Sequence, residues 1–438
     1  MREKLFNRKE AEMKKYTVAI IGAGSRGLRY AEHMLQYPEK FQVIAVAEPA
    51  KHRRDYMKKL WDIPVENCYA SWEDLLNRPK FADVVIVATM DNMHFEPAMK
   101  AIELGYNLLL EKPAAQTAQQ CITMTRAAKE KGVKVLVCHV LRYSPFFRRV
   151  KELVMEGAVG RIMSVIQVEA VGNIHQSHSY VRGDWHKEEE TTPMLLAKCC
   201  HDIDIIQWLI DMPCKKVSSF GELSWFKPEN APEGAPERCV GNACPVAETC
   251  PYKSEKIYLE SEKTAWMRRA LGRGFATEFV PTLEESRVAL ENTNFGACVY
   301  HAGNDVVDHQ VVNLEFEGGA TASLTMNGFN EGGRYIRIFG TKGELYANAS
   351  DTEITVYTFD DNQRRSYCVT KTEESITGGH GGGDHGIVVE LYDYLSSNYV
   401  GFCAADIETS VKNHLIGFAA EEARITDRVV YMADYLQI

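Results

Sequence analysis

The sequence lacks any run of the ~18 uninterrupted apolar residues that a membrane-crossing helix needs, so a helical membrane protein is not expected. Its first fifteen residues are dense in charge and have no apolar h-region, which points to a cytoplasmic protein without a secretory leader. Basic charge is also short. Against 60 Asp and Glu stand 50 Lys and Arg, a formal net charge of −10, with a pI near 5.8. That is the wrong sign for gripping nucleic-acid phosphates. There is no internal repeat and no long low-complexity tract. The 12 cysteines are scattered through apolar, strand-like contexts and read as reduced thiols rather than a disulfide framework. At 438 residues the chain exceeds the size at which one core stops growing, so two or more domains are expected.

What is present begins with a strand, Val18-Ala19-Ile20-Ile21, that runs straight into Gly22-Ala23-Gly24-Ser25-Arg26-Gly27. A helix-period pattern at Leu28, Ala31, Met34 and Leu35 follows. Glycine has a physical reason at each point, with Gly22 in the tight strand exit, Gly24 where backbone must approach a pyrophosphate, and Gly27 where helix packs closely on strand. The helix N-terminus, with Ser25 and Arg26 in its first turn, then receives the anion. A second strand, Phe41 to Ala47, ends at Glu48, 21 residues beyond Gly27. An acid there binds both ribose hydroxyls and repels a 2′-phosphate, which favours NAD. The cations His52, Arg53 and Arg54 just past it keep NADP open.

Further strand-like runs at Val84 to Ala88, Asn107 to Leu110 and Lys134 to Cys138 alternate with helix-period segments at Met93 to Leu104 and Thr117 to Lys131. That alternation predicts a doubly wound parallel sheet with its ligand at the carboxyl ends of the strands. From about Arg161 the rhythm changes. Val312, Leu314 and Phe316 share one face before Glu317-Gly318-Gly319, and Ala322, Leu324 and Met326 return. A second hairpin turns through Gly340-Thr341-Lys342-Gly343. The fold class is therefore α/β at the N-terminus, a Rossmann-type sheet, followed by an α+β domain with a large, mainly antiparallel sheet. Helices at Cys200 to Ile210, Ile387 to Leu395 and Ile407 to Arg424 are expected to cover that second sheet. The expected divisions are a charged extension (1–15), a nucleotide-binding domain (16–140), and a substrate-binding and oligomerisation domain (141–438) with a Pro- and Cys-rich insertion at about 226–300.

Strand Leu108-Leu109-Leu110 ends in Glu111-Lys112-Pro113, and the loop after the preceding strand reads Thr89-Met90-Asp91-Asn92-Met93-His94. A third segment, Lys198-Cys199-Cys200-His201-Asp202-Ile203-Asp204, opens an apolar helix. In these motifs the chain resembles the glucose-fructose oxidoreductase and inositol dehydrogenase family (Gfo/Idh/MocA). The resemblance implies that Lys112 lies beside the nicotinamide and the substrate hydroxyl. It implies that Thr89 and His94 line the cofactor side with Glu111, and that His201 is the acid/base on a sugar or polyol alcohol. Independently, a Lys held partly desolvated near a cationic nicotinamide has a lowered pKa, and imidazole titrates closest to neutrality. Plainer roles for the same residues are a strand-end ion pair for Glu111–Lys112 and helix capping for His94 and His201. The match is incomplete: the family's Asp four residues before His201 is Ala197 here, so Lys198, Asp202 or another loop must supply the electrostatics. The family assembles through an open sheet face, which implies a homodimer or homotetramer.

Two further segments carry recognition chemistry. His175 to Trp185 is dense in donors and acceptors with one large aromatic face, and His178, Arg182 and Trp185 are expected to touch substrate, with Asp204. The run from Gly378 to Gly386 lacks the Gly-Lys-Ser/Thr of a phosphate loop and reads as backbone that must approach something closely. Sugar-handling members of the family carry such a loop at the active-site mouth, which nominates His380 and, secondarily, Asp384. Cys239, Cys244 and Cys250 fall within twelve residues of the insertion. Three clustered thiols suggest a structural zinc one ligand short, with Cys199, Cys200, Cys298 or a histidine available to complete it, or else three unligated thiols. The substrate class is a sugar, polyol or glycoside. Hydride transfer to NAD is the first reading, a redox-neutral glycosidase or deglycosylase the second, and a non-catalytic sensor the third.

Overall fold

The computed structural model describes residues 14–241, 243–272, 276–277, 280–350, 353–369, 379–396 and 399–435. Most of the charged extension, and Gly378 of the glycine run, lie outside them. Strands β1 (Tyr16–Ile21), β2 (Phe41–Ala47), β3 (Cys68–Tyr69), β4 (Val84–Val87), β5 (Asn107–Leu110) and β6 (Val135–Val137) form a six-stranded parallel sheet in the order β3-β2-β1-β4-β5-β6. The unbroken burial of Val84 to Val87 and Leu108 to Leu110 is what a parallel sheet covered on both faces requires. The order reverses at β1/β4, so the carboxyl ends of these two strands open the crevice where a ligand sits.

The second sheet has nine strands: β7 (Ile162–Ala170), β8 (Cys214–Glu222), β9 (His309–Phe316), β10 (Thr321–Asn327), β11 (Gly333–Gly340), β12 (Gly343–Asn348), β13 (Glu353–Thr358), β14 (Arg364–Cys368) and β15 (Val430–Tyr431). Their order is β14-β13-β12-β11-β7-β10-β9-β8-β15, antiparallel except where β7 and β10 run together. Alternation sets the faces: Gln310, Val312, Leu314 and Phe316 point inward along β9. Both predicted hairpins are present.

Three expectations change. The helix read from Ile387 starts at Gly383, and it packs on the helix Ser25–Met34 and the turn Val140–Tyr143 of the first domain instead of covering the second sheet. The glycines explain this: a Cβ at Gly383 would stand 2.1 Å from the Val140 carbonyl oxygen, and one at Gly386 2.6 Å from that of Tyr143. The segment expected to offer its donors and acceptors to a substrate is helical from His175 to Arg182, and every residue from Gln176 to Arg182 is buried, because the insertion folds over it. The insertion, read as Pro- and Cys-rich, holds a helix, Leu283–Asn292, started by a Thr282/Glu285 capping box.

Candidate active site

The glycine turn is shaped by its neighbours. Gly22 has φ +88° and a Cβ there would meet the Ala88 oxygen at 2.5 Å; one on Gly27 would meet the Gly22 oxygen at 2.0 Å. At Gly24 the nearest atom to such a Cβ is 3.7 Å away, on Arg53, so the protein itself does not need that glycine. Gly24 caps the helix Ser25–Met34 without any side-chain hydrogen bond, which leaves the first-turn N–H groups for an external anion. These features fit a dinucleotide pyrophosphate. Glu48 is buried, its two oxygens accepting from Ala23 N–H at 2.8 Å and Ala50 N–H at 3.0 Å. A carboxylate has about four lone-pair positions, so each oxygen keeps room for a ribose hydroxyl.

Arg26, expected at the cofactor, is instead the centre of an ion network. Its Nε lies 2.7 Å from Glu111 Oε1 and its two terminal nitrogens 3.0 and 2.8 Å from the Asp384 carboxylate, while Tyr30 hydrogen-bonds both Arg26 and Glu111. Burial pushes the Glu111 carboxyl up, but Arg26 and Lys112 outweigh it and hold it below its usual range. Asp384, against the same burial, is held well below by His380 and Arg26. The network fastens the glycine-run loop to the Glu111–Lys112 turn. His94 does not cap its helix by side chain. Its ring nitrogens lie 2.7 Å from the Pro113 oxygen and 3.2 Å from that of Thr89, so it ties the two cofactor-side loops together. Thr89 Oγ1 donates to the Met93 carbonyl.

Lys112 Nζ donates to the Ala197 carbonyl at 2.6 Å, so the backbone at the position of the family's missing Asp is the lysine's anchor. His201 does not cap its helix, a place held by Cys199. Its ring centre is 5.6 Å from that of His380 and 6.0 Å from that of His139, which is 5.4 Å from His414. Neither ring nitrogen of His201 has a hydrogen-bond partner among the described residues. Burial drives this imidazole well below its usual pKa, with Lys112, His380 and His139 pushing the same way. His201 is therefore neutral at physiological pH, with one ring nitrogen free to accept a hydrogen bond. His380 sits at φ +55° with Nδ1 3.0 Å from Asp384 Oδ1.

A cleft of about 300 Å³ opens beside these groups, lined by Glu169, His175, Lys198, Arg334, His380 and the apolar Phe146, among others. Lys198 pairs with Glu169 at 3.3 Å. Arg334 lies 2.5 Å from Glu169 and 3.0 Å from Asp202. Sequence reasoning missed Glu169 and Arg334, which sit on β7 and β11. The available signal was polar Gln167 and Glu169 at core-facing positions of an alternating strand.

Several expected substrate contacts are placed elsewhere. His178 Nδ1 lies 2.9 Å from the Tyr258 hydroxyl and the ring stacks on Phe295; burial, then Arg182, lowers its pKa to about 3. Arg182 donates to the carbonyls of Ala297 and Tyr252. Both residues are thus spent on holding the insertion. Asp204 is spent on Arg142, at 2.7 Å through both oxygens, and on Asn413. Trp185 Nε1 donates to Asp91 at 3.1 Å, and Thr192 Oγ1 donates to the same oxygen, so Asp91 joins the two domains. Cys239, Cys244 and Cys250 line one small cavity in the insertion, although among the described residues no three His, Cys, Asp or Glu side chains stand arranged to hold a metal ion. No described helix is long and apolar enough to cross a membrane.

Fold and turn together define a dinucleotide-binding protein. The family model described as "Oxidoreductase family, NAD-binding Rossmann fold" matches residues 16–139, and the one described as its C-terminal alpha/beta domain matches residues 151–401. The chain belongs to the Gfo/Idh/MocA oxidoreductase family. It is similar to the oxidoreductase YteT of Bacillus subtilis strain 168, with 26% identity over 331 residues covering 73% of this chain and 74% of that one. A 2,7-anhydro-N-acetylneuraminate hydratase of Mediterraneibacter gnavus is 29% identical over 209 residues, 48% of this chain and 53% of its own. Among solved structures, levoglucosan dehydrogenase in complex with NADH and levoglucosan has a TM-score of 0.66 at 18% identity, covering 95% of this chain and 99% of the other. At that identity the likeness is one of fold.

Proposed function

We propose that this protein is an NAD-dependent oxidoreductase acting on a hydroxyl carbon of a sugar, polyol or glycoside. The observation that carries the reading is His201: buried, neutral, with both ring nitrogens unpartnered among the described residues, beside Lys112 at the carboxyl end of β5. A buried polar atom left without a partner is costly, and a substrate hydroxyl supplies what is missing. His201 takes the hydroxyl proton as general base. Lys112, positioned by the Ala197 carbonyl, donates to the same oxygen and stabilises the charge that develops on it. Lys198, His175, Arg334 and His380 bind and orient the remaining hydroxyls from the cleft wall. NAD, once bound, supplies the hydride acceptor. Glu48 at the end of β2 favours NAD over NADP.

A panel of sugars, polyols and glycosides tests this reading by NADH formation. It fails if no substrate reduces NAD and the protein binds no dinucleotide. One observation favours the second reading, a redox-neutral glycosidase or deglycosylase: the cleft holds an additional acid–base pair, Lys198–Glu169, beyond what alcohol oxidation requires. Such an enzyme oxidises one carbon, expels a group from its acidified neighbourhood and recovers the hydride in place. NAD retained through purification, with aglycone release and no net NADH, selects it; the hydratase relative is in keeping with it.

The open face of the second sheet carries Ile166, Arg337 and Tyr346 in one exposed row across three strands, and we assign it to a homodimer or homotetramer contact, to be checked by light scattering. The free cysteines accord with a cytoplasmic location.

A further inference from the structure

The insertion has little regular structure, and its buried apolar groups are small. The larger gathers Phe226, Tyr252, Val299 and Tyr300 around Cys298. Small, loop-rich units of this kind commonly need a cross-link or a metal to hold them. The way the cysteines are presented supplies one. An isolated antiparallel bridge pairs Arg238 with Ala297. Around it Cys239 N–H donates to the Gly296 carbonyl at 2.7 Å and Cys298 N–H to that of Glu237 at 2.8 Å. Because side chains alternate across such a pair, Cys239 and Cys298 lie on the same face, on the diagonal. Cys244 and Cys250 follow in a turn in which Cys250 N–H donates to the Val246 carbonyl. All four cysteines line a single cavity of about 20 Å³, room for one atom-sized guest.

An independent observation concerns charge. Arg182 lines the same cavity, is 1% exposed, and reaches the backbone carbonyls of Ala297 and Tyr252 through Nε and Nη2. Its Nη1 has no hydrogen-bond partner and no carboxylate pairs with it among the described residues. A buried guanidinium without a counter-charge is expensive. The cavity that the four cysteines line is therefore short of negative charge. In addition, Ser254 N–H points at Cys239 Sγ at 3.4 Å, the kind of contact that stabilises a bound thiolate.

We propose that Cys239, Cys244, Cys250 and Cys298 bind one zinc ion as four thiolates, with Arg182 as the buried counter-ion. Four thiols release four protons to solvent, four sulfur–zinc bonds form, and no electron is transferred. The resulting centre carries two negative charges, one of which Arg182 offsets. The sulfurs are not pre-arranged as a metal cage, so they close on the ion as it binds, ordering coupled to coordination. The site is structural: four protein ligands leave no open position for catalysis. It bears on the cleft all the same, because Trp266 of the insertion packs against His175, ring centres 5.9 Å apart.

The test uses the full-length chain purified under reducing conditions without chelator. Elemental analysis is expected to find about one zinc per chain, and cobalt added to the stripped protein is expected to give the intense sulfur-to-cobalt absorption of a tetrathiolate. Cys298→Ser is expected to weaken zinc binding by at least about tenfold, and Arg182→Met by a similar factor with every thiol retained. Cys68→Ser, remote from the cavity, leaves the metal in place. Three results overturn the proposal: wild-type protein that neither holds zinc nor takes up cobalt, iron with labile sulfide in place of zinc, or zinc retained undiminished in Cys298→Ser. The wild-type measurements decide the matter even if a variant fails to fold, and they do not depend on the oxidoreductase reading.

Discussion

The two walls of the cleft are built on opposite terms. On the cofactor side the polar groups are satisfied: Glu48 accepts from two backbone N–H groups, Glu111 and Asp384 share Arg26, and His94 links two loops. On the substrate side His201 and His139 are buried with no hydrogen-bond partner on either ring nitrogen among the described residues, and Gln167 keeps an orphan oxygen. The first wall is a finished platform. The second leaves buried ring nitrogens without partners among the described residues, and its neutral imidazoles follow from the same desolvation.

The largest expected effect breaks the unfinished wall. His201→Asn is expected to lower kcat by about 10²–10⁴-fold with NAD affinity unchanged, read by steady-state kinetics beside a binding titration. The finished wall is broken by Arg26→Met, which strands two buried carboxylates. Because Arg26 is itself partly exposed, the low end of the range for a broken buried pair applies, about 3 kcal/mol of stability, measured by denaturant unfolding.

Acid sharpens the contrast. His414, buried and beside His139, has its pKa lowered to about 3, as has His178. A histidine depressed in the fold binds its proton more readily when unfolded. Its stabilising share is therefore full above the unfolded pKa near 6.5 and is lost as pH falls from there toward about 3. Each group is expected to contribute a slope of up to about 1.4 kcal/mol per pH unit in that window, and His178→Gln should flatten it when unfolding midpoints are followed against pH. Gly24→Ala is expected to leave the melting temperature unchanged, since its Cβ meets nothing closer than 3.7 Å. NAD binding by isothermal titration should weaken by on the order of tenfold, about 1.4 kcal/mol. The smallest effect is at the seam between the walls: Trp185→Phe removes the bond to Asp91 at a cost of about 1 kcal/mol, seen as a small drop in the unfolding midpoint.

The parts that could be read from sequence were those whose cause is local. Gly22, Gly24 and Gly27 act within one turn, the hairpin at Glu317 to Gly319 closes on itself, and the helix Cys200–Ile210 announces its own apolar face. Residue type alone misled at His178, Arg182 and Asp204. Donor-rich side chains suit a substrate, but they equally suit a buried partner, and Tyr258, Ala297 and Arg142 are brought to them from positions far along the chain. Glu169 and Arg334 were missed for the converse reason: each sits on a strand, Glu169 marked only by its polarity at a core-facing position, and the two gain meaning only when β7 and β11 pair.

By itself the sequence determined the dinucleotide turn and the parallel sheet of the first domain, because periodicity and turn chemistry act over a few residues, and by its family resemblance it nominated Lys112 and His201. Only the tertiary structure decided which charges face the cleft. It set the Lys112 anchor on a backbone carbonyl where the family has an acid. It drew Asp384 under Arg26 from the far end of the chain, and it gathered a fourth cysteine beside three. Those outcomes depend on desolvation and on contacts between distant segments, and both come into being only when the chain is folded.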